Sequence, residues 1–209
     1  MAGNGIHAAR AAEPVNASGG EAADAELLRR VAASLPAPAN LSSRRALETL
    51  FERHSDALLR FLTRLLRNSH SAEDILHDVF VRVAEAAATY RGESSVRTWL
   101  FTLALNKVRS QQRRNALENR ASAIMSSEPK PESDGREDPF EQAQARELRQ
   151  RVDAAIGELG DGERETFLLY WFGQMTYADI GIASGITVSA AKVRVHRALA
   201  RLSKRLGEA

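Results

Sequence analysis

Cysteine is absent from all 209 residues. That excludes disulfides, thiolate nucleophiles and Cys-ligated zinc, and it fits a reducing compartment. No apolar run approaches the roughly 18–20 residues that a membrane span needs. The N-terminus lacks the basic start and apolar core of a signal peptide, so a cytoplasmic protein without membrane insertion is expected. Aromatic residues make up only 6% of the chain, and β-branched alternation is missing throughout, so strands are not expected. No Gly-rich phosphate loop, Ser/His/Asp ordering or cofactor fingerprint appears. The expectation is a non-enzyme with no catalytic residue, no cofactor and no metal. His70, Asp74 and His77 do have helical metal-ligand spacing, but side chains of a capping turn and a wet surface explain them better. The formal net charge is only +2, so the location of charge matters more than its sum.

What remains is a Leu- and Ala-rich chain with 27% charged residues, the composition of an all-α protein. Residues 1–23 carry no apolar period and read as a disordered tail. A short helix is expected after Asp24, with Leu27, Leu28 and Val31 on one side. From about Ser43, Leu47, Phe51, His54, Leu58, Phe61, Leu62 and Leu65 recur at three- and four-residue steps, the stripe of an amphipathic helix. Asn68–Ser71 breaks it, with Ser71 as the expected N-cap of the next helix and Asp74 at its third position. That helix turns Ile75, Leu76, Val79, Phe80 and Val83 inward. Gly92 supplies a turn, and Ser94 or Ser95 caps a third long helix running through Trp99 to about Arg114.

Residues 126–139 hold three prolines, a glycine and many acids, with no apolar face. They read as a solvated tether. Helices near 141–156, 162–172, 177–184 and 188–206 follow. The expected architecture is a tail (1–23), a helical domain (24–118), a linker (119–140) and a second helical domain (141–209).

Three constellations carry chemistry. In the first, Thr176 and Asp179 have capping-box spacing, Gly185 sits where a left-handed residue is wanted, and Thr187 can cap the next helix. This is a helix-turn-helix signature. On the second of its helices Val188, Ala191, Val195, Ala198, Leu199, Leu202 and Leu206 share one side. Ser189, Val193, Arg194, His196, Arg197, Arg201 and Lys204 share the other, with no carboxylate before Glu208. A cationic face of this kind suits the major groove, with its first residues at base edges and later cations near phosphates.

In the second, Thr98, Thr102, Asn106, Arg109 and Arg113 fall within an arc of roughly 80° on one helix. Hydroxyl, amide and guanidinium without an acid suit phosphates and exposed bases. Trp99 and Phe101 read as core, and Lys107 as an exception reaching past the apolar side to solvent. In the third, Asp74, His77, Asp78 and Arg82 lie opposite an apolar stripe, either a docking patch for a basic partner or a solubilising face.

The run from Ala46 to Arg114 resembles the second conserved region of extracytoplasmic-function (ECF) sigma factors, bacterial transcription initiation factors. The resemblance rests on Ala72-Glu73-Asp74-Ile75-Leu76-His77-Asp78-Val79-Phe80 and on Tyr90-Arg91-Gly92-Glu93-Ser94-Ser95-Val96-Arg97-Thr98-Trp99-Leu100. Residues from about Leu148 to Leu206 resemble the fourth region. The resemblance implies that Asp74, His77, Asp78 and Phe80 dock on the clamp of the RNA polymerase largest subunit. It implies that Tyr90, Arg91, Ser94, Ser95, Asn106, Arg109 and Arg113 read and melt the promoter −10 element. Ser189, Lys192, Val193, Arg194, His196 and Arg197 would read the −35 element, and an anti-sigma factor is the expected regulator. His77 stands where the family commonly has Gln, Gly181 where it has Ala, and Ala190-Ala191 where Thr-Val is common. The competing expectation is a helix-turn-helix regulator that binds duplex DNA as a dimer without polymerase.

Overall fold

A computed structural model describes residues 18–34, 40–121 and 139–207. Among these residues the only regular elements are eight α-helices and one 3-10 turn. The chain divides into two compact units, with Asn16–Pro129 forming one and the residues from Lys130 onward the body of the other.

The N-terminal unit contains α1 (Ser18–Ala32), α2 (Leu41–Leu66), α3 (Ser69–Ala86), the 3-10 turn Ala87–Thr89 and α4 (Val96–Ala121). Asn40 caps α2 by accepting from the Ser43 N–H at 2.9 Å, and Arg67 closes it with φ 57°. Much of the stripes read from the sequence meets in one core: Leu58, Phe61, Leu62, Ile75, Val79, Val83, Leu100 and Phe101 are essentially buried, joined by Leu50 and Leu105, whereas Phe51 of the same stripe is 44% exposed. Each buried side chain contributes roughly 1.5–3 kcal/mol through the surface it removes from water.

Three expectations need correction here. Residues 18–23 are not tail: they form the first turns of α1. The reason is polar and long-range. Glu21 and Asp24 are anchored by groups on α4 and α2, and Leu28 and Val31 are buried, so the helix extends past its apolar stripe. Residues 1–17 lie outside the described residues. The N-cap of α3 is Asn68, not Ser71: its side chain accepts from the Ser71 N–H at 2.9 Å, and the helix begins three residues earlier than expected. Asn is at least as good a cap as Ser. Finally, α4 continues beyond Arg114 to Ala121. The expected tether falls mostly on 122–138, outside the described residues.

The C-terminal unit contains α5 (Pro139–Gly157), α6 (Asp161–Trp171), α7 (Tyr177–Ser184) and α8 (Val188–Gly207). Pro139 opens α5, where its missing N–H costs nothing. Ala155, Ile156, Leu159, Phe167, Leu168, Leu169, Met175 and Ile180 form the core with Ala191, Val195, Ala198 and Leu202 of α8. Val188, assigned to the same apolar side, is instead 53% exposed, although Ala191 in the same turn is fully buried.

Candidate nucleic-acid interface

The helix-turn-helix is built from backbone chemistry. Thr176 Oγ1 accepts from the Asp179 N–H at 3.1 Å, and Asp179 Oδ2 accepts from the Thr176 N–H at 3.3 Å. This is the capping box expected from the spacing. At the other end Gly185 has φ 68°. The Ile186 N–H donates to the Gly181 carbonyl at 2.9 Å and the Gly185 N–H to Ile182 at 3.4 Å, the paired bonds of a Schellman motif. Gly181 has its own reason. A Cβ there would lie 2.9 Å from the Ile186 carbonyl oxygen, so the turn closes directly onto the helix backbone. Thr187 Oγ1 then accepts from the Ala190 N–H at 3.1 Å and starts α8.

The cationic face of α8 is narrower than its sequence. Ser189, Lys192, Val193, His196 and Arg197 are exposed together, and neither Lys192 nor Arg197 pairs with an acid among the described residues. Arg194 is half-buried and folds back over α6, its guanidinium 3.0 Å from where a Gly162 Cβ would sit. Arg201 pairs with Glu163 at 3.0 Å, and Arg205 with Glu158 at 3.1 Å. The flank toward α5 and α6 is therefore neutralised internally. His196 lies beside the Tyr177 ring at 6.1 Å, which itself stacks on Tyr170. Burial, then the neighbouring Tyr170, pushes the Tyr177 hydroxyl above its ordinary range.

In the N-terminal unit the loop from Tyr90 to Ser95 enters α4. Gly92 takes φ 73°, and the Tyr90 hydroxyl donates to the Ser94 carbonyl at 2.6 Å. The Tyr90 ring meets Trp99 edge-on at 5.7 Å, so Trp99 is half-buried beneath Tyr90. Phe101 is core as expected, at 0% exposure. Ser95 caps α4, its Oγ accepting from the Thr98 N–H at 2.9 Å. Beside this loop lies a cleft of about 660 Å³, lined by Tyr90, Arg91, Gly92, Ser94 and Ser95 on one side and by α1 on the other.

The polar stripe of α4 divides in two. Thr98 is buried and bonded to Ser95, and Thr102 Oγ1 donates to the Thr98 carbonyl at 2.8 Å, so both hydroxyls are committed locally. Asn106 and Arg113 are exposed and Arg109 is half-buried; these three remain along the stripe below the loop. Lys107 does not run to bulk solvent: its Nζ pairs with Asp78 Oδ2 at 2.7 Å, because α3 packs beside α4 there.

On α3, Asp74, His77, Asp78 and Arg82 are all exposed. Phe80 is not: it is 7% exposed, edge-on to Phe51 at 4.9 Å. Together with Leu47, Phe51, Val81 and His77 it lines an apolar groove of about 530 Å³ rimmed by Glu48, Glu52 and Glu85. Asp74 lies 3.7 Å from His70 on the surface, while His77 belongs to this groove. Among the described residues no group of three His, Asp or Glu is placed to hold a metal.

Sequence reasoning missed the α1 side. Glu21 Oε1 accepts from the Val96 N–H at 2.9 Å. Asp24 binds His54 Nε2 at 2.8 Å and Arg53 at 2.6 Å. Burial holds His54 below its ordinary range, with Asp24 opposing. His54 on a largely apolar stripe was the available signal, since a buried imidazole needs a polar partner.

Comparison with known proteins supplies the class. Residues 50–118 match the family model for Sigma-70 region 2, and residues 149–202 match Sigma-70, region 4. The RNA polymerase sigma factor CarQ of Myxococcus xanthus is 30% identical over 164 residues, covering 78% of this chain and 90% of CarQ. The ferric citrate uptake sigma factor FecI of Escherichia coli (strain K12) is 32% identical, covering 73% of this chain and 86% of FecI. The solved structure of CnrH in complex with the cytosolic domain of CnrY is similar with a TM-score of 0.61 and 26% identity. It covers 89% of this chain and 98% of that one. Two helical units carrying these regions in this order define an RNA polymerase initiation factor. Within that class, the chain belongs to the ECF sigma factors, and it directs promoter-specific transcription. Among the described residues no helix is long and apolar enough to cross a membrane.

Proposed function

We propose that the chain divides promoter recognition between its units, acting in the cytoplasm without chemistry of its own. The exposed arc of α8 reads the −35 element. Ser189, Lys192 and Val193 approach base edges, His196 and Arg197 lie further along the groove, and Arg194, folded back over α6, holds the helix against its support. Such a division between positioning and reading contacts is general for helices in the major groove.

The N-terminal unit holds the opened −10 element. Each base step opened loses roughly 1–2 kcal/mol of stacking, so the protein must favour separated bases over duplex. The Tyr90–Ser95 cleft receives an unpaired base, with Tyr90, Ser94 and Ser95 around it and Arg91 at its mouth. Asn106, Arg109 and Arg113 grip the strand along α4. A pocketed base recovers part of the unpairing cost through stacking and edge hydrogen bonds. Asp74, His77 and Asp78 meet the polymerase clamp, with Phe80 acting through the floor of the groove it shares with Phe51. Asp78 keeps Lys107 as its partner there. An anti-sigma factor regulates the chain. This is supported by the similarity to CnrH bound to CnrY and to the sigma factor RpoE bound to the anti-sigma factor NepR of Bartonella quintana.

The single observation behind this reading is the cleft beside Gly92, opening next to a helix whose exposed stripe carries amide and guanidinium but no acid. Run-off transcription from genomic fragments, with core polymerase and with or without the chain, tests it. New start sites are expected only when the chain is present. The double variant Asn106→Ala, Arg109→Ala should bind core normally yet lose permanganate-reactive thymines at the promoter. Unchanged reactivity, or a shift of duplex DNA that needs no polymerase, would count against it.

A further inference from the structure

The −10 cleft has a second wall that the promoter-reading residues do not include. Glu21, Ala22, Ala25 and Arg29 of α1 face Tyr90, Arg91, Gly92, Ser94 and Ser95 across it. Two observations tie that wall to the loop's geometry. The first is the bond from the Val96 N–H to Glu21 Oε1, 2.9 Å long and spanning 75 residues of sequence. Val96 opens α4, and a helix's first amides have no partner within the helix. Ser95 satisfies Thr98, and Glu21 satisfies Val96 from another element. A carboxylate is also the favoured charge at that end of a helix. The second is Tyr90. Its hydroxyl donates to the Ser94 carbonyl at 2.6 Å, and burial and, next, the Glu21 carboxylate push it above the ordinary range, so the loop's own clasp lies within the field of the same carboxylate.

The remaining wall residues fit a strand entering the cleft. Ala22 and Ala25 are small and leave the space open, where any longer side chain would project into it. Arg29 stands at the rim with its guanidinium paired to Glu26, so it closes that end of the wall without carrying free charge into the cleft. α1 is seated independently of this cleft, through Leu28, Val31 and the Asp24 contacts to His54 and Arg53, so the wall does not depend on nucleic acid for its position.

We infer that α1 is a working part of the −10 site: Glu21 is a positioning residue that sets the loop through the first amide of α4, and Ala22 shapes the space that an unpaired nucleotide enters. This rests on the reading that the loop takes an unpaired base, and the experiment separates the two. The probe is a 2-aminopurine-labelled non-template strand from a promoter that the wild-type chain starts, bound to holoenzyme reconstituted with full-length chain. Glu21→Ala should weaken strand binding roughly tenfold and dampen the fluorescence change, the scale of a lost helix cap. Glu21→Gln keeps an acceptor for Val96 and should restore binding to within about threefold. Ala22→Leu fills the cleft at an exposed helical position. It should weaken binding about tenfold with no fall in melting temperature.

Tyr90→Ala and Asn106→Ala serve as the reference. If neither weakens the strand complex, the −10 assignment itself fails. If they do while Glu21→Ala and Ala22→Leu bind as wild type, α1 is scaffold only and the inference is overturned. Should Glu21→Ala unfold the unit, Ala22→Leu decides: normal strand binding overturns it, and impaired strand binding with normal core binding supports it.

Discussion

Replacing Asp24 with alanine should loosen α1 and lower the melting temperature of the N-terminal unit by roughly 5–15 °C. Asp24 is 8% exposed and His54 5%, and their side chains meet at 2.8 Å. Nδ1 of His54 has no hydrogen-bonding partner among the described residues, so Asp24 provides the imidazole's one polar contact. Its removal strands a buried ring nitrogen, at a cost of about 1–3 kcal/mol. The Arg53 pair adds little, because Arg53 is 45% exposed and water screens it. Relief from burying a carboxylate offsets part of the loss. A net loss of about 1–2 kcal/mol remains, and a unit of this size shifts by roughly 4–8 °C per kcal/mol. The chain has two tryptophans, so in a Trp171→Phe background the fluorescence of Trp99 reports this unit alone. Asp24→Asn retains an acceptor for the Nε2 proton and should fall between. The pH dependence has a definite sign. Burial lowers the folded pKa of His54 while Asp24 opposes it and Arg97 and Arg53 lower it further. Below the unfolded value of about 6.5 the unfolded chain binds more protons. The stability due to neutral His54 is therefore full above about pH 6.5 and is lost as pH falls from there toward the depressed folded value. His54→Gln should flatten the stability profile between about pH 7 and 5 relative to wild type. A melting temperature for Asp24→Ala within about 2 °C of wild type, or a slope unaffected by His54→Gln, would refute the reasoning.

Gly181→Ala tests whether the helix-turn-helix closes as tightly as its backbone bonds indicate. Helix propensity favours Ala by about 1 kcal/mol, but a Cβ only 2.9 Å from a backbone carbonyl oxygen forces overpacking that costs roughly 1–3 kcal/mol. The expected result by calorimetry is a net loss of about 1 kcal/mol, and a rise in melting temperature would show that the turn yields. On α8, Lys192→Ala and Arg197→Ala should each reduce the salt-dependence slope of promoter binding by about one. Arg201→Ala should leave that slope nearly unchanged, because Glu163 already holds the guanidinium. Equal slopes for all three variants would contradict the division of the face.

Helix periodicity made much of this fold legible. Ile75, Leu76, Val79, Phe80 and Val83 recur at spacings that only one α-helical face satisfies, and all five are buried. The capping box at Thr176 and the left-handed Gly185 were equally readable, because caps are local and their donors lie three residues away. What could not be read were polar bonds between elements. Glu21 reaches Val96 across 75 residues and Asp24 reaches His54 across 30, and neither pair carries any periodic signature. The first turn of α1 therefore looks like tail in sequence. Lys107 looks solvent-bound in sequence for a related reason: nothing in its own helix announces Asp78 on the neighbouring one.

Ion pairs between elements also decide which part of α8 presents its charge in a chain of formal net charge +2. A count of α8 alone makes every Arg and Lys equivalent. In the folded unit, Glu163 and Glu158 take Arg201 and Arg205, and α6 draws Arg194 inward over Gly162. Each internal pair lowers the field on its own flank without adding charge to the opposite one. Lys192 and Arg197 are left at the front, where their charge acts outward. The neutralised flank has no net charge with which to cancel them, and at physiological salt their field acts over about 8–10 Å, enough to meet a phosphate in contact. Cations that look redundant in sequence thus do two different jobs, some fixing the recognition helix against its support and others meeting the nucleic acid. Substituting the first kind should loosen the unit; substituting the second should weaken binding and leave the fold intact.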